Sequence, residues 1–296
     1  MLTRRQLLQS SVLAGSAAFA GSVAQAIEPI ARNGKPKFKF SLAAYSYRSL
    51  LQGANATLTL KDFIDDCAKF GLEGTELTSY YFPADAKPDY LRALRRQAFR
   101  LGLDISGTAV GNEFGHSPGE KRAAEIAKVK QWVDNSEILG APVIRIFAGH
   151  QQKDQTPAQA HSLMISAMEE CCEYAGQHGV HLALENHGGP TGSGDGILEF
   201  VRDVNSPWFG INLDTGNFEA ADPYAEMARL APYAINAQVK AAVSIGRKKT
   251  PADYKRIAKI MRDANYRGYI VLEYEEAGNV REECPKALDQ MREAFA

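Results

Sequence analysis

The chain has little cysteine, almost no net charge and only one extended apolar run. Its four cysteines, Cys67, Cys171, Cys172 and Cys284, contain no C-x-x-C pair, which argues against a thiolate metal site. Cys171 and Cys172 are adjacent within a helical pattern and point to different sides, so all four read as buried free thiols. The net charge is −1 at pH 7, so no global field draws in nucleic acid or anionic lipid. The apolar run, residues 7–23, is shorter than the roughly 20 residues that span a bilayer. It follows Thr3-Arg4-Arg5 and precedes Ala24-Gln25-Ala26, an A-x-A cleavage pattern, so residues 1–26 read as a removable export signal. Paired arginines before Gln6-Leu7-Leu8 fit the twin-arginine route, which carries proteins already folded. A periplasmic protein without stable membrane insertion is therefore expected. Taking Arg4 and Arg5 from the 34 basic residues leaves 32 against 35 acidic ones, a mature charge of −3.

Residues 27–37, with Pro29, Gly34 and Pro36, read as a tether. Residues 38–296 read as one domain of the α/β class. Strand-like segments are expected at 38–44, 74–77, 104–109, 143–147, 180–185, 209–214, 235–240 and 269–274. Helical segments are expected between and after them, at 59–70, 87–101, 117–139, 157–177, 197–204, 224–231, 251–264 and 285–294. Strict alternation implies a parallel sheet. Eight such units over about 260 residues suit a closed (β/α)8 TIM barrel. An open doubly wound sheet would carry a glycine-rich phosphate loop after its first strand, and Tyr45-Ser46-Tyr47-Arg48 stands there instead.

Glu185 ends the run V-H-L-A-L-E, and the glycine-rich segment after it forbids a regular element. Three later strand tips repeat the arrangement with Asp214 in NLDTGN, Gln238 in NAQVKA and Glu273 in VLEYEE. In a barrel the C-terminal strand ends share one face, so these distant residues converge. Each alone also reads as a solvated strand end or a salt bridge. Together they offer oxygen donors suited to one hard divalent ion, Mn²⁺ or Mg²⁺ first, with Co²⁺ or Zn²⁺ as alternatives. Three carboxylates in one cleft would repel one another without a cation.

This series of tips, on this alternation, resembles the xylose isomerase-like TIM barrel superfamily, the group of sugar phosphate isomerases and epimerases. The resemblance covers residues 38–295. It implies metal ligands at Glu185, Asp214, Gln238 and Glu273. It also implies that Glu185 and Glu273 move a proton at a carbon beside a carbonyl, through an enediolate. Two departures stand out. The family often has His where Gln238 stands, and an amide oxygen ligates without charge or basicity. Epimerases of the family often have His where Asn217 stands.

Other polar groups near strand tips are candidates for holding substrate: Glu76, Asn112, His116, His150, Asn217 and Lys240. His187, two residues past Glu185, is the candidate acid or base outside the metal shell. Tyr45, Tyr47, Tyr80, Tyr81 and Phe82 flank the mouth, where aromatic faces suit a sugar ring. His161, His178 and His181 read as structural. The leading expectation is a metal-dependent isomerase or epimerase acting on a small sugar or keto sugar. The alternative is a lyase or hydratase on oxidised (3-keto) glycosides, using the same proton abstraction. An abasic-site endonuclease would need a basic surface and more metal ligands, and a degenerate binding barrel would not need two opposed carboxylates. No nucleic-acid partner is expected, and a homo-oligomer is left open.

Overall fold

The computed structural model describes residues 28–53 and 56–296. The export signal read at residues 1–26 lies outside the described residues. Eight parallel strands close a barrel in the order β1-β10-β7-β6-β5-β4-β3-β2. They are β1 (Lys37–Ala43), β2 (Gly74–Thr78), β3 (Asp104–Ala109), β4 (Val143–Ile146), β5 (His181–Glu185), β6 (Phe209–Asp214), β7 (Ala234–Val239) and β10 (Arg267–Leu272). A further antiparallel pair, β8 (Ala242–Ile245) and β9 (Lys248–Pro251), stands outside the barrel. The outer layer holds α1 (Leu60–Lys69), α2 (Pro88–Arg100), α3 (Glu120–Leu139), α4 (Pro157–Gln177), α5 (Gly194–Asp203), α6 (Pro223–Leu230), α7 (Tyr254–Asp263) and α8 (Val280–Phe295). No helix among the described residues is long and apolar enough to cross a membrane.

Local chemistry explains the helix starts. Thr59 caps α1 and Thr156 caps α4, each in a reciprocal box with the residue three further on, Asp62 and Gln159. Such boxes satisfy two backbone donors that a helix start leaves unpaired. Prolines 88, 157 and 223 occupy first turns, where a missing N–H loses no bond. The strands are short and buried on both faces, β2 and β6 along their whole length, as expected when helices cover a parallel sheet. Closure comes from β1, which pairs with β10 from Lys37–Arg267 to Leu42–Leu272 and with β2 from Ser41–Gly74 to Ala43–Glu76.

Three differences from the expected elements have physical causes. The β8–β9 hairpin replaces the loop expected before residue 251. Its two-residue turn, Gly246-Arg247, has φ of 55° and 65°, the all-positive turn that matches strand twist. Arginine there is no turn signal, which hid the hairpin. The last helix begins at Val280, not 285, because the Asn279 side chain accepts from the Arg281 N–H. Pro285 lies inside that helix. Lastly, the described part of the tether segment lies on the N-terminal end of the barrel. There the Ile30 N–H donates to the Pro232 carbonyl (3.0 Å) and the Arg32 guanidinium to those of Ala264 and Ala234.

Packing between α4 and the residues leading into β6 is tight enough to test. A Cβ on Gly176 would lie 2.4 Å from Cδ1 and Nε1 of the half-buried Trp208. Gly176→Ala is therefore expected to lower unfolding free energy by about 1–3 kcal/mol, the range for overpacking. Urea unfolding checks it, and an unchanged midpoint would show that Trp208 moves freely.

Candidate active site

The C-terminal barrel face gathers Glu185 from β5, Asp214 from β6, Lys240 just after β7 and Glu273 just after β10. Glu185 ends β5 and Glu273 follows β10, with β6 and β7 between their strands. All four residues are buried. Parallel strands staggered in register bring these tips to one level. Asp214 pairs with Gln238, Glu185 with Asn212, and the Glu273 N–H donates to the Val239 carbonyl.

Two cations lie among these carboxylates. The Lys240 Nζ is 3.0 Å from Glu273 Oε2, 3.4 Å from Asp214 Oδ2 and 2.8 Å from Glu275 Oε1. Burial alone would lower its pKa, but Asp214, Glu273 and Glu275 outweigh it and hold the ammonium above the ordinary lysine value. The Arg145 Nε is 2.8 Å from Glu185 Oε2. The same guanidinium donates to the Val110 carbonyl at 3.1 Å and lies 4.0 Å from the centre of the Phe147 ring. Burial, opposed by Arg145 and reinforced by Glu273, raises the Glu185 carboxyl to about 7. Asp214 is likewise raised, by burial first and in spite of Lys240. Its Oδ1 accepts from the Gly216 N–H at 2.7 Å, while its Oδ2 is buried with no hydrogen-bond donor.

Gln238 is placed differently from its expected role as a fourth ligand. Its Oε1 accepts from Asn212 Nδ2 at 2.7 Å, and its Nε2 donates to Glu76 Oε1 at 2.6 Å. Asn236 closes the ring by donating to Glu76 Oε2 (2.9 Å) and Asn212 Oδ1 (2.8 Å). Both ends of the amide are thus paired in a buried polar layer inside the barrel. Glu76, expected to touch substrate, belongs to this layer. It is 1% exposed, and burial, then Glu273, raise its carboxyl to about 7.

The other candidates divide into two sets. Asn217 joins the site, donating to Glu185 Oε1 at 2.9 Å. His187 stands at the mouth with its outer edge exposed and its ring 4.5 Å from that of Phe147. Partial burial, then Arg145 and Lys240, hold its imidazole below the ordinary value. Asn112 uses both amide ends on the Phe147 backbone (2.8 and 2.9 Å) and serves the loop. His150 is exposed and paired with Glu113 at 2.8 Å. His116 is half-buried in the loop after β3, outside the network of carboxylates and cations. Of the aromatic residues, Tyr47 packs on Phe63 and Phe82 on Trp132, while the Tyr80 hydroxyl reaches Arg145 at 3.5 Å. Arg145 itself was not among the sequence candidates. Its signal was a lone charge within the otherwise apolar strand V-I-R-I, which a buried strand tolerates only with a partner.

The donor set fits a divalent ion in part. Three carboxylates converge, and a buried oxygen of Asp214 lacks a donor, which suits a hard cation. Gln238 is not available without breaking its ring with Glu76. Among the described residues, no three His, Cys, Asp or Glu side chains stand as a ligand cluster, and Lys240 contacts Asp214 and Glu273.

A family model described as "Xylose isomerase-like TIM barrel" matches residues 64–294. No curated protein matches the chain in sequence. Among solved structures, a D-psicose 3-epimerase from Clostridium cellulolyticum H10 is 15% identical, with a TM-score of 0.72 over 87% of this chain and 99% of that one. A 3-keto-D-glucoside 4-epimerase from E. coli is 12% identical, with a TM-score of 0.70 over 88% of this chain and 100% of that one. A probable 3-DHS dehydratase from Bacillus anthracis is 20% identical, with a TM-score of 0.66 over 86% and 98%. At these identities the structures share the fold. The match over 64–294, on a closed eight-stranded parallel barrel, shows that this chain belongs to the xylose isomerase-like TIM barrel family.

Proposed function

We propose that this protein isomerises or epimerises a sugar-derived carbonyl compound by moving a proton at the carbon beside the carbonyl. The observation that carries the reading is the pair of buried glutamates at separate strand ends, Glu273 in contact with Lys240 and Glu185 with Arg145. Without an ion, burial lifts the Glu185 carboxyl to about 7; a bound divalent ion would lower it and favour the carboxylate that takes a proton. One glutamate removes the proton from one face of the substrate. The other returns it from the opposite face. The oxyanion formed between these steps would lie beside the Lys240 and Arg145 cations in a buried site, where charge stabilisation is strong. Glu185, Asp214 and Glu273 would hold a divalent ion, and Gln238 would not. Such an ion, when bound, would polarise the carbonyl as a Lewis acid. The export signal read at residues 1–26 would place this activity in the periplasm.

One observation favours a second reading, a hydratase or lyase on 3-keto glycosides. His187 is a third titratable group at the mouth, held below its ordinary value and so neutral near pH 7. Two glutamates suffice for epimerisation, whereas a neutral imidazole takes a proton from water in the hydration direction.

The test combines metal content with product analysis. Elemental analysis and anomalous diffraction at the Mn and Zn edges should find one divalent ion among the three carboxylates. Keto sugars and 3-keto glucosides incubated with the Mn²⁺-supplemented protein in D₂O should gain deuterium beside the carbonyl. A rearranged sugar as product supports the isomerase, and an eliminated or hydrated product supports the second reading. No exchange with either class, and no ion after Mn²⁺ addition, would overturn the proposal.

A further inference from the structure

We infer that Lys240 is an internal cation that closes the divalent-ion position, and that Glu275, already its hydrogen-bond partner at 2.8 Å, is the berth that keeps the ammonium when an ion displaces it from Asp214 and Glu273. This rests on the metal-dependent reading above. The Lys240 ammonium touches three carboxylates at different depths. Asp214 is fully buried, Glu273 is 6% exposed and the Glu275 side chain is 32% exposed. Together they form a track from the barrel interior to the mouth, with contacts of 3.4, 3.0 and 2.8 Å. The innermost end is Asp214 Oδ2, which receives no hydrogen bond and has the ammonium 3.4 Å away. An ammonium and a divalent ion cannot both occupy that end, because like charges a few ångströms apart repel strongly where water is scarce. A lysine stem is long and unbranched, so its head can shift while its backbone stays in place.

The surroundings are shaped for this stem. A Cβ on Gly216 would lie 2.5 Å from Lys240 Cδ and 3.1 Å from Cγ, so the stem lies in a groove that only glycine leaves open. The floor of the groove is coupled to the site, since the Gly216 N–H donates to Asp214 Oδ1. The outer berth is held in place too. Lys249 of the hairpin pairs with Glu276 at 2.7 Å, which ties the segment after Lys240 to the loop that carries Glu275. Lys240 thereby neutralises the carboxylates in the ion-free barrel, and an entering ion must displace it.

Mn²⁺ affinity tests this at fixed pH and salt, read from the electron paramagnetic resonance signal of free Mn²⁺. Lys240→Met should bind Mn²⁺ at least about tenfold tighter than the wild type, because it removes the competing charge. Glu275→Gln should bind about threefold or more weaker, and should change affinity less than about twofold when added to Lys240→Met, since the berth then has no occupant. Gly216→Ala keeps every charge and lifts the stem from its groove, so it should tighten binding at least about threefold even if Lys240→Met fails to fold. Wild-type affinity unchanged in both Lys240→Met and Gly216→Ala would overturn the inference and leave the metal reading standing. Failure of the wild type and every variant to bind Mn²⁺ would overturn both.

Discussion

Glu273→Gln is expected to lower turnover by about 10²- to 10⁴-fold, the range for losing a positioned acid or base. The substitution removes the proton-accepting oxygen and one charged ligand of the proposed ion, and keeps the side chain's size. The Gln amide has nearly the shape of Glu, and its oxygen can still accept from Lys240, now 3.0 Å from Glu273 Oε2. Lys240 also keeps Glu275 at 2.8 Å and Asp214 at 3.4 Å, so no buried charge loses its last partner. Fold stability should therefore change little while proton transfer stops. The measurement is solvent deuterium exchange and product formation on the keto sugar that the wild type turns over, with urea unfolding in parallel. A loss of less than about fivefold would remove Glu273 from the chemistry. A matching loss of stability would mean that its role is structural.

Replacing Arg145 by Met should make the fold sensitive to alkaline pH. Burial raises Glu185 from its ordinary 4.5 to about 7, against the opposing pull of Arg145. A carboxyl whose folded pKa lies above its unfolded one binds more protons in the folded state between those values. Its destabilising effect is absent below pH 4.5, grows as pH rises and levels off above about 7. Without the Arg145 cation the folded pKa rises further, and that window extends upward at about 1.4 kcal/mol per pH unit. Metal-free wild type and Arg145→Met should therefore differ mainly by packing at pH 5. By pH 9 that difference should grow by up to about 3 kcal/mol, two further pH units beyond the wild-type plateau at about 7. Urea midpoints at pH 5, 7 and 9 in chelator check this. Adding Glu185→Gln to Arg145→Met should abolish the extra pH dependence. Parallel curves for wild type and Arg145→Met would show that the 2.8 Å contact is not an energetically coupled pair.

Much of the barrel was legible in the residues. The expected strands at 104–109 and 209–214 and the helix at 157–177 have the bounds of β3, β6 and α4, because apolar period, caps and proline positions are local properties. The β8–β9 hairpin was not legible, since Gly246-Arg247 adopts its turn without a turn sequence. Within the site, Asn217 and Lys240 were legible because each lies a few residues past a strand end that already pointed inward. Glu76 and Gln238 were legible as inward groups, but not as partners of each other. Each sits at a strand position that reads equally well as substrate-facing or as interior.

By itself, the sequence determined the alternation of strands and helices and the placement of Glu185, Asp214 and Glu273 at successive strand ends. These follow from side-chain period and from where glycines and capping residues interrupt it. Only the tertiary structure decided what those groups meet. Gln238 finds Glu76 across 162 residues of chain, Arg145 finds Glu185, and Lys240 takes the position among the carboxylates. Pairings of this kind depend on barrel closure, strand register and the room left by neighbours such as Gly216. They are properties of packed, low-dielectric space that no local pattern in the chain encodes.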